Sequence, residues 1–110
     1  MIAVDRLHHV AIPVADVKTA ADWYRARFDV RTVYEDPTWA LLRFGNIDLA
    51  LVIPEQHPPH IAVERADAER YGELRAHRDG SASVYVDDPF GNVIEIMQAG
   101  GARRLAGQAA

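Results

Sequence analysis

Residues 8–14 read HHVAIPV and residues 57–64 read HPPHIAVE, so one phrase, a histidine followed by small and β-branched residues, occurs twice. The second copy starts straight after two prolines. A further echo pairs GNIDLA, from Gly45, with GNVIEI, from Gly91. Two copies that each carry their own strands are too few for a solenoid, where every unit must stack on a neighbour. They point instead to two half-structures sharing one core.

Working outward from the first copy, Leu7 to Val14 alternates loosely and is rich in Val and Ile, which predicts a strand. Asp16 stands where an N-cap belongs, and Val17, Ala20, Ala21, Tyr24 and Phe28 recur at helical spacing. Trp23, Tyr24 and Phe28 are accordingly expected in the helix core. Val30–Tyr34, Trp39–Phe44 and Ile47–Ile53 read as three strands, separated by the turn signals Asp36-Pro37 and Gly45-Asn46. The first module, 7–53, is therefore βαβββ. Residues 54–59 form a linker, because prolines neither continue nor donate to a ladder. The second module, 60–98, starts with a strand over His60–Glu64. A weaker, charged helix over Asp67 to about Arg75 follows, then strands over Ser81–Val86 and Val93–Met97 flanking the turn Asp88-Pro89-Phe90-Gly91. The tail, 99–110, is small-residue-rich without a clear period. The fold class is α+β in a single domain.

With 110 residues the chain has room for one real core. A hydrophobic fraction of 49% against 25% charged residues suggests neither disorder nor a fibre. The net charge of −4 offers no basic field for phosphate backbones, so a nucleic-acid partner is not expected. There is no cysteine, so any metal must be held by His, Asp or Glu. MIAVDRLHHV lacks the pattern of a signal peptide, and no apolar run approaches bilayer length. No membrane partner and a cytoplasmic location are the expectation.

Alternation assigns faces to side chains. Val10, Ile12 and Val14 suit the face under the helix, leaving His9 and Ala11 on the other. Ile61 and Val63 should pack, with His60, Ala62 and Glu64 looking away; Ile94 and Ile96 should pack, with Val93, Glu95 and Met97 opposite. His9, His60 and Glu95 thus fall on the face away from the helices. Two imidazoles and a carboxylate suit a divalent first-row metal and leave coordination positions open for substrate or water. Each has a simpler account taken singly: His9 a hydrogen-bonded strand histidine, His60 a solvated strand start. Glu95 between two isoleucines is odder, since a carboxylate on a buried face needs a partner. His8 suits a packed or rim position, and His57 a solvated linker. His77 and Arg78, in AHRDGS, lie in a loop that could cover a site or stand in solvent. Ser83 and Tyr85 share a parity and could present hydroxyls to a ligand.

LHHVAIPVADVKTAADWY, HIAVE and YVDDPFGNVIEI together resemble the vicinal oxygen chelate superfamily, which includes glyoxalase I, fosfomycin-resistance thiol transferases, extradiol dioxygenases and bleomycin-binding proteins. The resemblance covers residues 7 to about 98. It implies paired βαβββ modules forming a cupped mixed sheet, and metal ligands at His9, His60 and Glu95, the last within the DPxGNxxE pattern. Glyoxalase I is similar but adds a carboxylate on the last strand of the first module. Here that place falls within IDLAL, where Asp48 and Ala50 both have a suitable parity, so Asp48 is a candidate base or fourth ligand. By that resemblance Ser83 and Tyr85 match positions that lie near the bound phosphonate in fosfomycin-resistance enzymes, and Arg104 in the tail could do similar work; a dedicated anion site would carry more basic residues around it than the Arg75 and Arg78 evident here.

The implied function is that of a metalloenzyme of the glyoxalase or fosfomycin-resistance type, a lyase, isomerase or thiol transferase acting on a small oxygen-chelating substrate. The implied cofactor is Mn, Fe, Ni or Zn. His9, His60 and Glu95 are the expected metal ligands, Tyr85 and Asp48 the catalytic candidates, and Ser83 and Arg78 the substrate contacts. A homodimer is implied as well. The alternatives are an Fe(II) extradiol-type dioxygenase, separable by oxygen consumption, and a bleomycin-resistance-like binding protein, which would bind its ligand equally well without metal.

Overall fold

The computed structural model describes residues 4–77 and 80–99. The chain falls into two compact units, one of residues 9–60 and the other drawn from residues 1–8 and 61–110. The tail beyond Ala99, with Arg104, and Arg78 lie outside the described residues.

The 9–60 unit follows the sequence reading closely. Strand β1 spans Arg6–Pro13, its last five residues in this unit; helix α1 spans Val17–Arg27; β2, β3 and β4 span Arg31–Glu35, Trp39–Arg43 and Asp48–Val52. The strands lie in the order β2-β3-β4-β1, with β1 parallel to β4 and the other neighbours antiparallel. Asp16 caps the helix: its carboxylate accepts the Thr19 N–H at 2.8 Å, satisfying one of the donors a helix start leaves over. Arg25 and Arg27 in the last turn suit the negative end of the helix dipole.

Each face of this sheet carries its own apolar cluster. Ala21, Leu42 and Leu51 are buried together with Ile12, Val14, Ala20, Tyr24 and Leu49 packed against them, which is the helix side. On the opposite face Ala11, Leu41, Ala50 and Val52 are buried, with Val33, Tyr34 and Trp39 packed against them. His9 shares the parity of Ala11, two residues on, and so belongs to the face away from the helix. Two aromatic assignments need correction. Trp23 and Phe28 are not core: they are 47% and 48% exposed, because the buried stripe of α1 is only Val17 and Ala21 wide, with Ala20 and Tyr24 at its edge. Arg27 lies over the Trp23 ring at 4.2 Å, covering part of it.

The second unit departs further. It holds β5, His60–Arg65, which enters it at Ile61, then β6, Arg75–Ala76, β7, Ala82–Asp87, and β8, Val93–Gln98, in the order β5-β8-β7-β6. Strand β7 is antiparallel to both β6 and β8. The charged helix expected over Asp67 to Arg75 is absent. In its place stands a single 3-10 turn, Ala68–Tyr71, followed by Gly72 at φ +151° and then the unforeseen strand β6. Four residues ahead of a glycine cannot repay the cost of nucleating an α-helix. Gly72 is itself required, since a Cβ there would meet Val84 Cγ1 at 2.9 Å.

Losing that helix changes what packs. Ile61, expected to be covered, is 38% exposed, whereas Ala62 is buried with Met97. The turn at 88–91 forms as read: the Asp88 carboxylate accepts the N–H groups of Phe90 and Asn92, and Gly91 adopts φ +87°.

Candidate functional site

In the 9–60 unit two imidazoles face one another. His9 Nε2 and His60 Nε2 are 3.1 Å apart, with both side chains buried and the rings set edge to face at 74°. His60 Nδ1 lies 2.6 Å from the Pro58 carbonyl oxygen. A carbonyl only accepts, so Nδ1 carries the proton and the neutral ring presents a lone pair at Nε2. The two prolines explain why that carbonyl is in place: Pro59 restricts Pro58 to extended conformations, and each ring fixes its own φ. The HPPH phrase therefore sets a tautomer as well as a chain direction.

Two imidazole nitrogens brought this close are donors of the type that divalent first-row metals take, and would hold such an ion together. His60, protonated at Nδ1 and hydrogen-bonded to a carbonyl, is in the form that metal-binding histidines adopt. The donor pair thus fits a divalent cation.

Beside His9 stands Asp48, its direct partner in the β1–β4 register, while Ala50 pairs with Ala11. Both candidates for the fourth-ligand place therefore lie on the His9 face. Asp48 is buried, and both its oxygens accept from Arg43, across the β3–β4 ladder, at 3.0 and 3.1 Å. The carboxylate beside it raises the Arg43 guanidinium above its ordinary value against the opposing effect of burial. Arg43 carried no signal in the sequence beyond its position in the alternation.

In the other unit Glu95 is buried at 4% exposure and has the partner such a carboxylate needs. Ser83 Oγ donates to Glu95 Oε2 at 2.6 Å, and His77 Nε2 lies 2.6 Å from Ser83 Oγ and 3.3 Å from the same Glu95 oxygen. Ser83 is fully buried at 0%, and its hydroxyl links His77 to Glu95. Tyr85, directly opposite Glu95 in the β7–β8 register, is exposed and meets the His77 ring edge to face at 6.2 Å. His77 is a member of this cluster and not a solvated loop residue, a role the sequence hid because β6, which leads into it, is only two residues long. His57 likewise is not simply solvated: it is half-buried, its ring 6.2 Å from that of Trp39.

No family model and no curated protein matches the chain. Solved structures do. The chain is similar to methylmalonyl-CoA epimerase from Mycobacterium tuberculosis, with 22% identity, a TM-score of 0.67 and coverage of 88% of this chain and 91% of that one. A Streptomyces coelicolor methylmalonyl-CoA epimerase in complex with 2-nitronate-propionyl-CoA gives 17%, 0.67, and 90% and 98%. A glyoxalase/bleomycin resistance protein/dioxygenase superfamily member from Vibrio splendidus 12B01 gives 14%, 0.61, and 86% and 98%. At these identities the likeness speaks for the fold. Repeated strand modules, the helix-covered first sheet and these neighbours agree: the chain has the fold of the glyoxalase/bleomycin resistance protein/dioxygenase group, the vicinal oxygen chelate superfamily.

Proposed function

We propose that the chain is a divalent-metal enzyme of the vicinal oxygen chelate type, in which His9, His60 and Glu95, the ligands that the family resemblance implies, hold one ion and a small substrate is taken up through two of its oxygens. The observation that carries this reading is the His9–His60 pair, with facing Nε2 atoms 3.1 Å apart and His60 held in the ligating tautomer by Pro58. Glu95 adds the hard oxygen donor that, with two imidazoles, suits Mn, Fe, Ni or Zn. The ion supplies Lewis-acid stabilisation of negative charge developing on substrate oxygens.

The remaining work falls to the chain itself. Tyr85, partly exposed and opposite Glu95 in the register, is assigned to orienting substrate. Asp48 has both oxygens engaged by Arg43, which suits a fixed charge beside His9 better than a mobile base or a fourth ligand. A small-molecule substrate is supported by the neighbours, two of which are named as methylmalonyl-CoA epimerases, one of them with a CoA ester analogue bound. The proposal includes a homodimer, as the family resemblance implies; light scattering reporting a single-chain mass at working concentration would remove that part.

Elemental analysis of purified protein tests the centre. About one Mn, Fe, Ni or Zn per chain is expected in the wild type, and none in His60→Ala or Glu95→Ala. A wild type with no metal and no uptake on reconstitution sinks the enzyme reading. Ligand binding that proceeds equally well without metal would favour a binding protein.

A further inference from the structure

The His77–Ser83–Glu95 chain has a definite direction. Glu95, as an ionised carboxylate, only accepts, so the single Ser83 hydroxyl proton points to Oε2 at 2.6 Å. The Ser83 oxygen must then accept from His77 at 2.6 Å, which places the His77 proton on Nε2, directed at Ser83 with the same Glu95 oxygen 3.3 Å away. Oε2 is thereby met by one strong donor and approached by a second. At 0% and 4% exposure, Ser83 and Glu95 have little bulk water to replace these contacts. The residues come from three places in the sequence: β7, β8 and the segment just after β6. The β7–β8 register, which sets Ser83 opposite Met97 and Tyr85 opposite Glu95, places the serine two positions along the ladder from the carboxylate it holds, on the same face.

We propose that Ser83 and His77 are positioning residues for Glu95: they fix its rotamer and occupy Oε2, so that the carboxylate meets a divalent cation through one oxygen rather than two. This rests on the reading of Glu95 as a metal ligand. It reassigns Ser83 from substrate contact to support of a ligand and gives His77 a role. Buried hydrogen bonds from groups behind a ligand orient it and tune its affinity, and their removal typically weakens metal binding by about 10- to 100-fold.

The test uses Co(II) as probe, with its dissociation constant measured by chelator competition and its visible absorption recorded on the bound protein. Ser83→Ala and His77→Leu are each expected to weaken Co(II) binding by about 10- to 100-fold and to alter the visible bands. His77→Gln, which keeps an N–H donor, should restore most of the affinity and the wild-type spectrum. Thermal unfolding of each metal-free variant separates loss of fold from loss of positioning. Co(II) affinity within about threefold of wild type and unchanged bands in both Ser83→Ala and His77→Leu would overturn the inference while leaving the metal centre standing. Equal loss in His77→Gln and His77→Leu would also overturn it, because the donor would then be irrelevant. A wild type that takes up no Co(II) would sink the metal centre itself and this inference with it.

Discussion

Arg43 and Asp48 make a buried carboxylate depend on one guanidinium, since both Asp48 oxygens accept from it. Removing only one member of such a pair leaves a charge without compensation, while removing both leaves none. Arg43→Met is therefore expected to destabilise the protein by about 1–3 kcal/mol, the partial exposure of Arg43 keeping the effect below that of a fully buried pair. Arg43→Met with Asp48→Leu should recover part of that loss in urea unfolding; equal losses in the single and double variants would show that the pairing does not matter. At this scale the sequence was legible wherever alternation decides a face. His9 and Asp48 could both be placed by parity, and they are register partners. What alternation could not reveal is the chemistry of the partner. Arg43 holding Asp48, and His77 reaching Ser83, depend on side-chain reach across a ladder or a loop, which strand periodicity does not encode.

Two elements turn on local chemistry that can be measured directly. The β2–β3 turn is organised by Asp36, whose carboxylate accepts from the Tyr34 and Thr38 hydroxyls and from the N–H groups of Thr38 and Trp39. Burial raises its pKa, but these hydrogen bonds together outweigh burial and hold the group well below its ordinary value of 3.8. Because the folded-state value is depressed, its contribution is present above the unfolded value and fades as pH falls through the folded one. Asp36→Ala should cost about 1–2 kcal/mol at pH 7 and progressively less below about pH 4, read from denaturant midpoints at both pH values. A cost that stays constant into acid would remove the carboxylate from the explanation. In the second unit, Gly72→Ala sets a Cβ against Val84 at a left-handed φ and should lower stability by about 1–3 kcal/mol, visible as a drop in melting temperature. An unchanged melting temperature would mean that the turn adapts freely. The strands and α1 were readable because their patterns run over five or more residues and α1 has a cap. The 3-10 turn and β6 were not, because segments of four and two residues hold too little pattern to outweigh competing readings.

For the molecule as a whole, a proposed centre whose ligands sit at positions 9, 60 and 95 can be complete only in the folded chain, so the ion should stabilise the fold by mass action. At a free metal concentration one hundred times the dissociation constant the gain is about 2.7 kcal/mol, a rise in melting temperature on the order of 10 °C for a chain of this size. That rise should vanish in His9→Ala; a wild type whose melting temperature ignores metal would argue against the centre. Among the described residues no helix is long and apolar enough to cross a membrane. The sequence by itself determined the repeated module, the strands and faces of the first half, the absence of thiolate ligands and the candidacy of His9, His60 and Glu95. It did so because short-period patterning and residue type are local properties. Only the tertiary structure decided that the second module lacks its helix, that Ile61 and Trp23 are partly exposed, that Pro58 sets the tautomer of His60, and that Ser83 and His77 reach Glu95. Each of those depends on which neighbours come within hydrogen-bonding or packing distance, a property of the folded chain that no window of sequence contains.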